Sequence, residues 1–177
     1  MNNLDTMFGV DVRYASAFDI PFIFSLMTDT ALNDGSFADT LLTGSGYVSL
    51  FMALMTALHT FQRWKRRNQP RHDLWVLEKN DEHVGFLYCI RNDAPNSIPT
   101  VHIHSCAVAP GYRNQGYGNR MIAWVLQREA DSQAVITAHC NRYAKAMQHI
   151  FKRHRFARES IGRGLERYVF QLGKTTN

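Results

Sequence analysis

The chain has 177 residues, 45% of them hydrophobic and 20% charged, which fits one globular domain over 1–177 and excludes wholesale disorder. Its formal net charge of +5 suits an anionic ligand, whether a phosphate-bearing cofactor or a nucleic acid, without choosing between them. Three cysteines, Cys89, Cys106 and Cys140, are too few and too odd for a disulfide framework and fit a reducing, cytoplasmic compartment.

Residues 1–9 lack a basic start followed by an apolar run, so no signal peptide is expected. Residues 10–14 read as a short strand. Ser16 and Asp19 have capping-box spacing, and Phe18, Phe22 and Leu26 recur at helical period, so a helix is expected from about Ala17. Pro21 falls early in it, where a missing N–H does least harm. Residues 33–46, rich in Gly, Ser, Thr and Asp, read as a loop, and 47–66 as a second helix ending in basic residues. Its apolar part, 47–61, falls short of the ~20 residues that cross a bilayer, so no membrane is expected as a partner. It suits an apolar pocket, a homodimer contact or plain core equally.

Beyond Pro70, residues 74–78 and 84–90 read as strands hinged on Asn80-Asp81, a hairpin signal. Residues 101–108 form a further strand, stopped by Pro110-Gly111. A helix over 119–128, a strand over 134–138, a helix over 144–153 and a strand over 167–172 follow. The order βααβββαβαβ is an α+β domain: a mixed central sheet of about six strands flanked by about four helices.

The stretch Arg113-Asn114-Gln115-Gly116-Tyr117-Gly118-Asn119 lies between a strand and a helix. Its glycines allow close backbone approach and unusual φ values. The helix that follows offers unpaired N–H groups and partial positive charge to phosphate oxygens, and Arg113 adds a forked cation. The glycine spacing is not that of a dinucleotide fingerprint, and no Gly-Lys-Ser/Thr follows to make a Walker loop. An ordinary glycine turn before a helix has the same bare pattern.

The longer run from Cys106 through Ala107, Val108, Pro110 and Arg113 to Gly118 resembles the central motif of the GNAT superfamily of N-acetyltransferases. The element order resembles that fold as well. The resemblance implies acetyl-CoA as co-substrate and direct transfer of its acetyl group to an amine. It places the pyrophosphate on the amides of about Gln115 to Asn119. It places the pantetheine arm along the backbone of Cys106, Ala107 and Val108, like an added strand. No covalent cysteine intermediate is implied, and the cysteines read as small buried residues.

His102 and His104 alternate with Ile103 and are expected on one face of their strand, opposite Ser105 and Ala107. A protonated amine must lose a proton before it attacks a thioester, and a histidine near pKa ~6.5 takes it directly or through water. The His-x-His spacing resembles the arylalkylamine branch, including serotonin N-acetyltransferase, where two histidines line a water path. Polar strand residues with ordinary hydrogen bonds are the plainer reading. No metal is expected, since no third ligand lies nearby in sequence.

The family often supplies a tyrosine that protonates the departing thiolate. Here Phe151 stands at that place, and Arg155 stands where glycine is usual. The asparagine that often begins the same helix is out of register: Ala144 falls there, and Asn141, three residues earlier, is the expected cofactor contact. Tyr143, a histidine or water is left to serve as acid, with Glu78 as a substitute base. The basic residues Lys152, Arg153, Arg155, Arg158, Arg163 and Arg167 suit a solvated face or the CoA 3′-phosphate; nucleic acid rests on charge alone. The leading expectation is an acetyl-CoA-dependent N-acetyltransferase acting on a primary amine. The alternative is a GNAT-fold acyl-CoA sensor or partner-docking module without turnover.

Overall fold

The computed structural model describes residues 5–6, 9–34, 55, 70–94, 97–162 and 165–171. Within them eight strands make one sheet: β1 (Asp5–Thr6), β2 (Asp11–Tyr14), β3 (Arg71–Lys79), β4 (Glu82–Asn92), β5 (Thr100–Val108), β6 (Val135–Asn141), β7 (Ala157–Ser160) and β8 (Leu165–Gln171). Their order across the sheet is β1-β2-β3-β4-β5-β6-β8-β7. The described helices are α1 (Ile20–Asp34), α2 (Tyr117–Arg128) and α3 (Lys145–Arg153). The α+β class and the mixed sheet hold, with two strands beyond the expected six. Both lie at the edges: β1 has two residues, and β7 is exposed along its whole length and so carries no apolar alternation. The helix expected over 47–66 lies outside the described residues except for Met55, as do Arg163 and residues 35–46 of the expected loop.

Asn80 and Asp81 both adopt left-handed backbone angles, φ 51° and 63°, as the tight turn between β3 and β4 requires. Only β5 and β6 run parallel, joined through α2. One face of the sheet packs on α1, where Ile23, Leu26 and Met27 meet Leu74, Val76, Phe86 and Tyr88. The other packs on α2 and α3, where Met121, Ile122 and Phe151 meet Leu87, Ile103 and Ile136. Phe18 is not on the buried face: it is 94% exposed, because Ala17–Asp19 winds as a 3₁₀ turn and shifts the apolar stripe to Ile20, Ile23, Leu26, Met27 and Ala31. No described helix is long and apolar enough to cross a membrane.

The start of α1 is pinned by Asp19. The Ser16 N–H and Oγ donate to its carboxylate at 2.7 and 2.8 Å, and Arg13 grips it with two nitrogens at 2.8 Å each. Arg13 also reaches both Glu78 oxygens, and His83 stands 3.1 Å from Asp19. Glu78 is therefore committed to an ion-pair network joining β2, β3 and β4. It does not line the cavity described below, so the substitute-base reading is corrected.

Candidate active site

β5 and β6 pair only from Thr100 opposite Val135 to Ile103 opposite Ala138. Both strands continue, β5 to Val108 and β6 to Asn141, without a partner for each other. A cavity of about 820 Å³ opens at this fork, lined by the free stretches of the two strands, the N-terminus of α2 and one side of α3. Its size is that of a cofactor cleft. A β-strand parting from its neighbour leaves backbone N–H and C=O groups that an extended ligand can satisfy.

The loop before α2 is shaped for an anion. Gly116 takes φ 84° at the helix start, and a Cβ built there would meet nothing within 4 Å, so the backbone opens onto free space. The first intrahelical bond is that from the Arg120 N–H to the Gly116 carbonyl, which leaves the earlier amides of the turn without intrahelical partners. These features fit the CoA pyrophosphate. Asn114, Gly116, Tyr117, Gly118 and Asn119 line the cavity together with Cys106, Ala107, Val108 and Asn141. Gln115 does not; its side chain donates to the Gly111 carbonyl. Arg113 lines the cavity, but Nε donates to the Val108 carbonyl at 3.1 Å and one terminal nitrogen binds Asp29 at 2.5 Å. It ties the loop to α1 rather than offering an open fork. Asn141 accepts from the Tyr143 and Ala144 amides at 3.0 Å each, capping the turn into α3.

The histidine face differs from the simple alternation of a strand. In the β4–β5 register Tyr88 opposes Ser105 and Cys89 opposes Ile103, so His104 is an extra residue on β5, a bulge. The bulge resets the phase. Ala107 packs on the α1 side, whereas Cys106 and Val108 pack on the α2–α3 side with Ile103. His104 keeps to the α1 side, its ring 4.8 Å from that of Tyr88. The expectation that Ser105 and Ala107 lie opposite the histidines is thus corrected: an inserted residue flips every side chain beyond it.

His104 lines the cavity and His102 stands behind it, the two rings 6.2 Å apart. His139 of β6, which the sequence reading missed, lines the cavity and lies 4.8 Å from His102. The signal was that β6 runs parallel to the strand of His102; an expected end at Ala138 left out the residue that follows. Thr137 Oγ1 is 3.0 Å from His102 Nδ1, which leaves Nε2 for exchange. Burial pushes His102 down to about 4, helped by His139, His104 and Arg167. His104 is lowered as well, by desolvation first and then by His72 and His139. The ordinary value near 6.5 does not apply here. His72 extends the row, its Nδ1 2.6 Å from the Tyr88 hydroxyl.

Desolvation pushes Cys106 and Cys140 up to about 12, so both stay thiols and neither is a nucleophile. Phe151 is 1% exposed among Phe156 and Tyr168, a core residue. The Tyr143 hydroxyl accepts from Arg142 at 2.6 Å on a half-exposed side chain. Arg155 takes φ 61°, the conformation that glycine at this position would supply without strain.

The model of the acetyltransferase (GNAT) family matches residues 44–156. No curated protein matches the sequence. Among solved structures, a GNAT-family acetyltransferase from Streptococcus agalactiae is similar at TM-score 0.72 and 14% identity, over 97% of this chain and 100% of that one. RimL, a ribosomal L7/L12 α-N-protein acetyltransferase in complex with coenzyme A, is similar at TM-score 0.67 and 12% identity, over 96% and 97%. The spermidine N-acetyltransferase from Vibrio cholerae, in complex with CoA and spermine, is similar at TM-score 0.66 and 14% identity, over 96% and 99%.

Proposed function

We propose, for a chain that belongs to the acetyltransferase (GNAT) family, that it moves the acetyl group of acetyl-CoA directly onto a primary amine. The observation that carries this reading is the fork of β5 and β6 opening beside the Gly116 turn. A pyrophosphate on the α2 N-terminus brings the pantetheine arm along the unpaired edge of β5, past Val108 and Cys106, with the thioester near the fork. The histidine row lies on the α1 side of the same strand, so the amine approaches from that side.

The chemistry balances without a covalent enzyme intermediate. The amine nitrogen forms a bond to the thioester carbon, the carbonyl π pair moves to oxygen, and the C–S bond then breaks to release CoA. His104, neutral at pH 7 because its pKa is lowered, takes the amine proton at the cavity wall. His102 lies behind it as a further neutral imidazole, and the His139 ring stands 4.8 Å from His102. Backbone amides at the end of β5 stabilise the oxyanion. Phe151 supplies no hydroxyl for the thiolate, so water or a histidine that has taken up the amine proton returns it.

The deciding experiment measures acetyl-CoA consumption and acylated product together, across peptide N-termini, lysine, arylalkylamines and polyamines. Equal release of CoA and acylated amine, saturating in both substrates, is expected. Tight CoA binding by calorimetry with no turnover on any amine sinks the transferase reading and favours an acyl-CoA sensor.

A further inference from the structure

The loop before α2 holds two left-handed residues, Asn114 at φ 62° and Gly116 at φ 84°, on either side of Gln115. A non-glycine residue keeps such angles only where its surroundings fix them. Two side chains of the loop bond back to its own stem. Arg113 Nε donates to the Val108 carbonyl at 3.1 Å, and Gln115 Nε2 donates to the Gly111 carbonyl at 3.0 Å. The Tyr112 hydroxyl donates to Glu82 at the start of β4. Arg113 also crosses to α1, where a terminal nitrogen binds Asp29 Oδ2 at 2.5 Å. Asn33, one turn further along α1, donates to Asp29 Oδ1 at 2.7 Å and leaves Oδ2 to Arg113. A chain of bonds thus runs through Asn33, Asp29, Arg113 and Val108, from α1 to the end of β5, where the loop begins.

We propose that Asp29 is a positioning residue for coenzyme A: it fixes Arg113, and through Arg113 the loop whose amides receive the pyrophosphate. This rests on the cofactor half of the reading above, in which the Gly116 turn holds the pyrophosphate. Asp29 is not among the residues that line the cavity, whereas Arg113 is, so its effect passes through Arg113. The sign of that effect separates a brace from plain electrostatics. A carboxylate near the loop repels an anionic cofactor, so by charge alone its removal tightens CoA binding. A brace preorganises the amides, so its removal loosens them and weakens CoA binding. The ion pair is short and hydrogen-bonded, with side chains 29% and 32% exposed, and Asn33 orients the carboxylate. Arg113 already neutralises the Asp29 charge, and salt screens what is left, so the ordering prevails.

The test is calorimetry of CoA binding to the full chain. Asp29→Asn should weaken CoA about fivefold, the upper scale of a partly exposed charged pair. Asp29→Glu, which keeps the charge for Arg113, should bind CoA more tightly than Asp29→Asn does. Arg113→Gln should weaken CoA as well, and adding Asp29→Asn to it should weaken CoA no further, because the two residues act as one unit. Unchanged or tighter binding in Asp29→Asn overturns the proposal, and so does an additive loss in the double variant. Gly116→Asp, run beside them, separates the two failures. If it leaves CoA affinity unchanged, the loop is not the cofactor site and the reading beneath this inference fails. If it abolishes CoA binding while Asp29→Asn does not weaken it, the brace alone fails. None of these measurements needs turnover.

Discussion

The lowered pKa of His102 makes a prediction about pH that runs against the usual expectation for histidine. In the folded protein the ring holds its proton only below about 4, against an ordinary value of 6.5. Between those two values the unfolded chain binds the proton and the folded chain does not. Stability due to this residue is therefore complete above pH 6.5 and is lost as pH falls towards 4. The interval of about 2.5 pH units, at roughly 1.4 kcal/mol each, sets a ceiling of about 3.5 kcal/mol; the partial exposure of the ring reduces it to about 2 kcal/mol. Replacing His102 with Gln removes the titration and retains a polar group beside Thr137. Urea denaturation at pH 7.5, 6, 5 and 4.5 should show the wild type losing about 2 kcal/mol more than His102→Gln as the pH falls.

The same reasoning fixes the acidic limb of the reaction. With the rate expressed per neutral amine, kcat/KM should fall below pH 6.5, since that parameter reports the free enzyme and burial lowers His104, the proton acceptor. Replacing both His102 and His104 with Gln should lower the rate by about 10²-fold and abolish the limb, with CoA affinity unchanged. A limb centred at 6.5 would falsify the burial reasoning. Parallel stability profiles for wild type and His102→Gln would do the same from the folding side.

Gly116→Asp should abolish CoA binding in calorimetry while the fold persists, because a Cβ there meets no protein atom and Asp tolerates positive φ better than most residues; unchanged affinity removes the loop from the site. Burial raises the Asp19 carboxyl, but the bonds from Arg13 and Ser16 prevail and hold it well below the usual carboxylate range, so its contribution is present above pH 4 and lost as pH falls through the folded value. Asp19→Asn should cost about 3 kcal/mol at pH 7, the low end for breaking a buried pair, since Arg13 keeps Glu78; a chemical denaturation midpoint equal to wild type contradicts it. Arg155→Gly should stabilise by about 0.5–1 kcal/mol by relieving the left-handed backbone, and a lower Tm speaks against that strain.

Local chemistry made most of the fold legible. The Asn80-Asp81 turn, the strand stopped at Pro110 and the helix ending at Arg128 each follow from interactions within a few residues. What was not legible depends on partners distant in sequence. β7 is exposed throughout and exists because β8 pairs with it, Arg158 meeting Glu166 and Arg167 meeting Glu159 across the ladder. Phe18 fits a helical period on paper, yet the 3₁₀ turn set by Asp19 and Arg13 turns it out to solvent. Arg113 reads as an open phosphate fork until α1 places Asp29 against it, a contact across 84 residues.

The site follows the same division, with one further lesson. Glycine spacing located the loop because a backbone requirement is written in the residues themselves. The histidine face was half legible, since alternation holds only while the ladder is regular. A bulge at His104 depends on how β4 pairs with β5, and nothing in His-Ile-His-Ser marks it. Yet that single inserted residue decides which groups share the reaction face. It withdraws Cys106 into the α2–α3 core beside Met147 and leaves His104 on the α1 side. The parallel neighbour β6 then contributes His139, a third imidazole that no sequence window joins to the other two. Burial first, and then the imidazoles around them, lowers the proton affinity of His102 and His104 and keeps both neutral at pH 7. Two neutral rings can accept a proton from an incoming ammonium; charged ones would repel it. On the proposed reading, the proton chemistry of the fork arises from strand pairing as much as from the identity of any one residue.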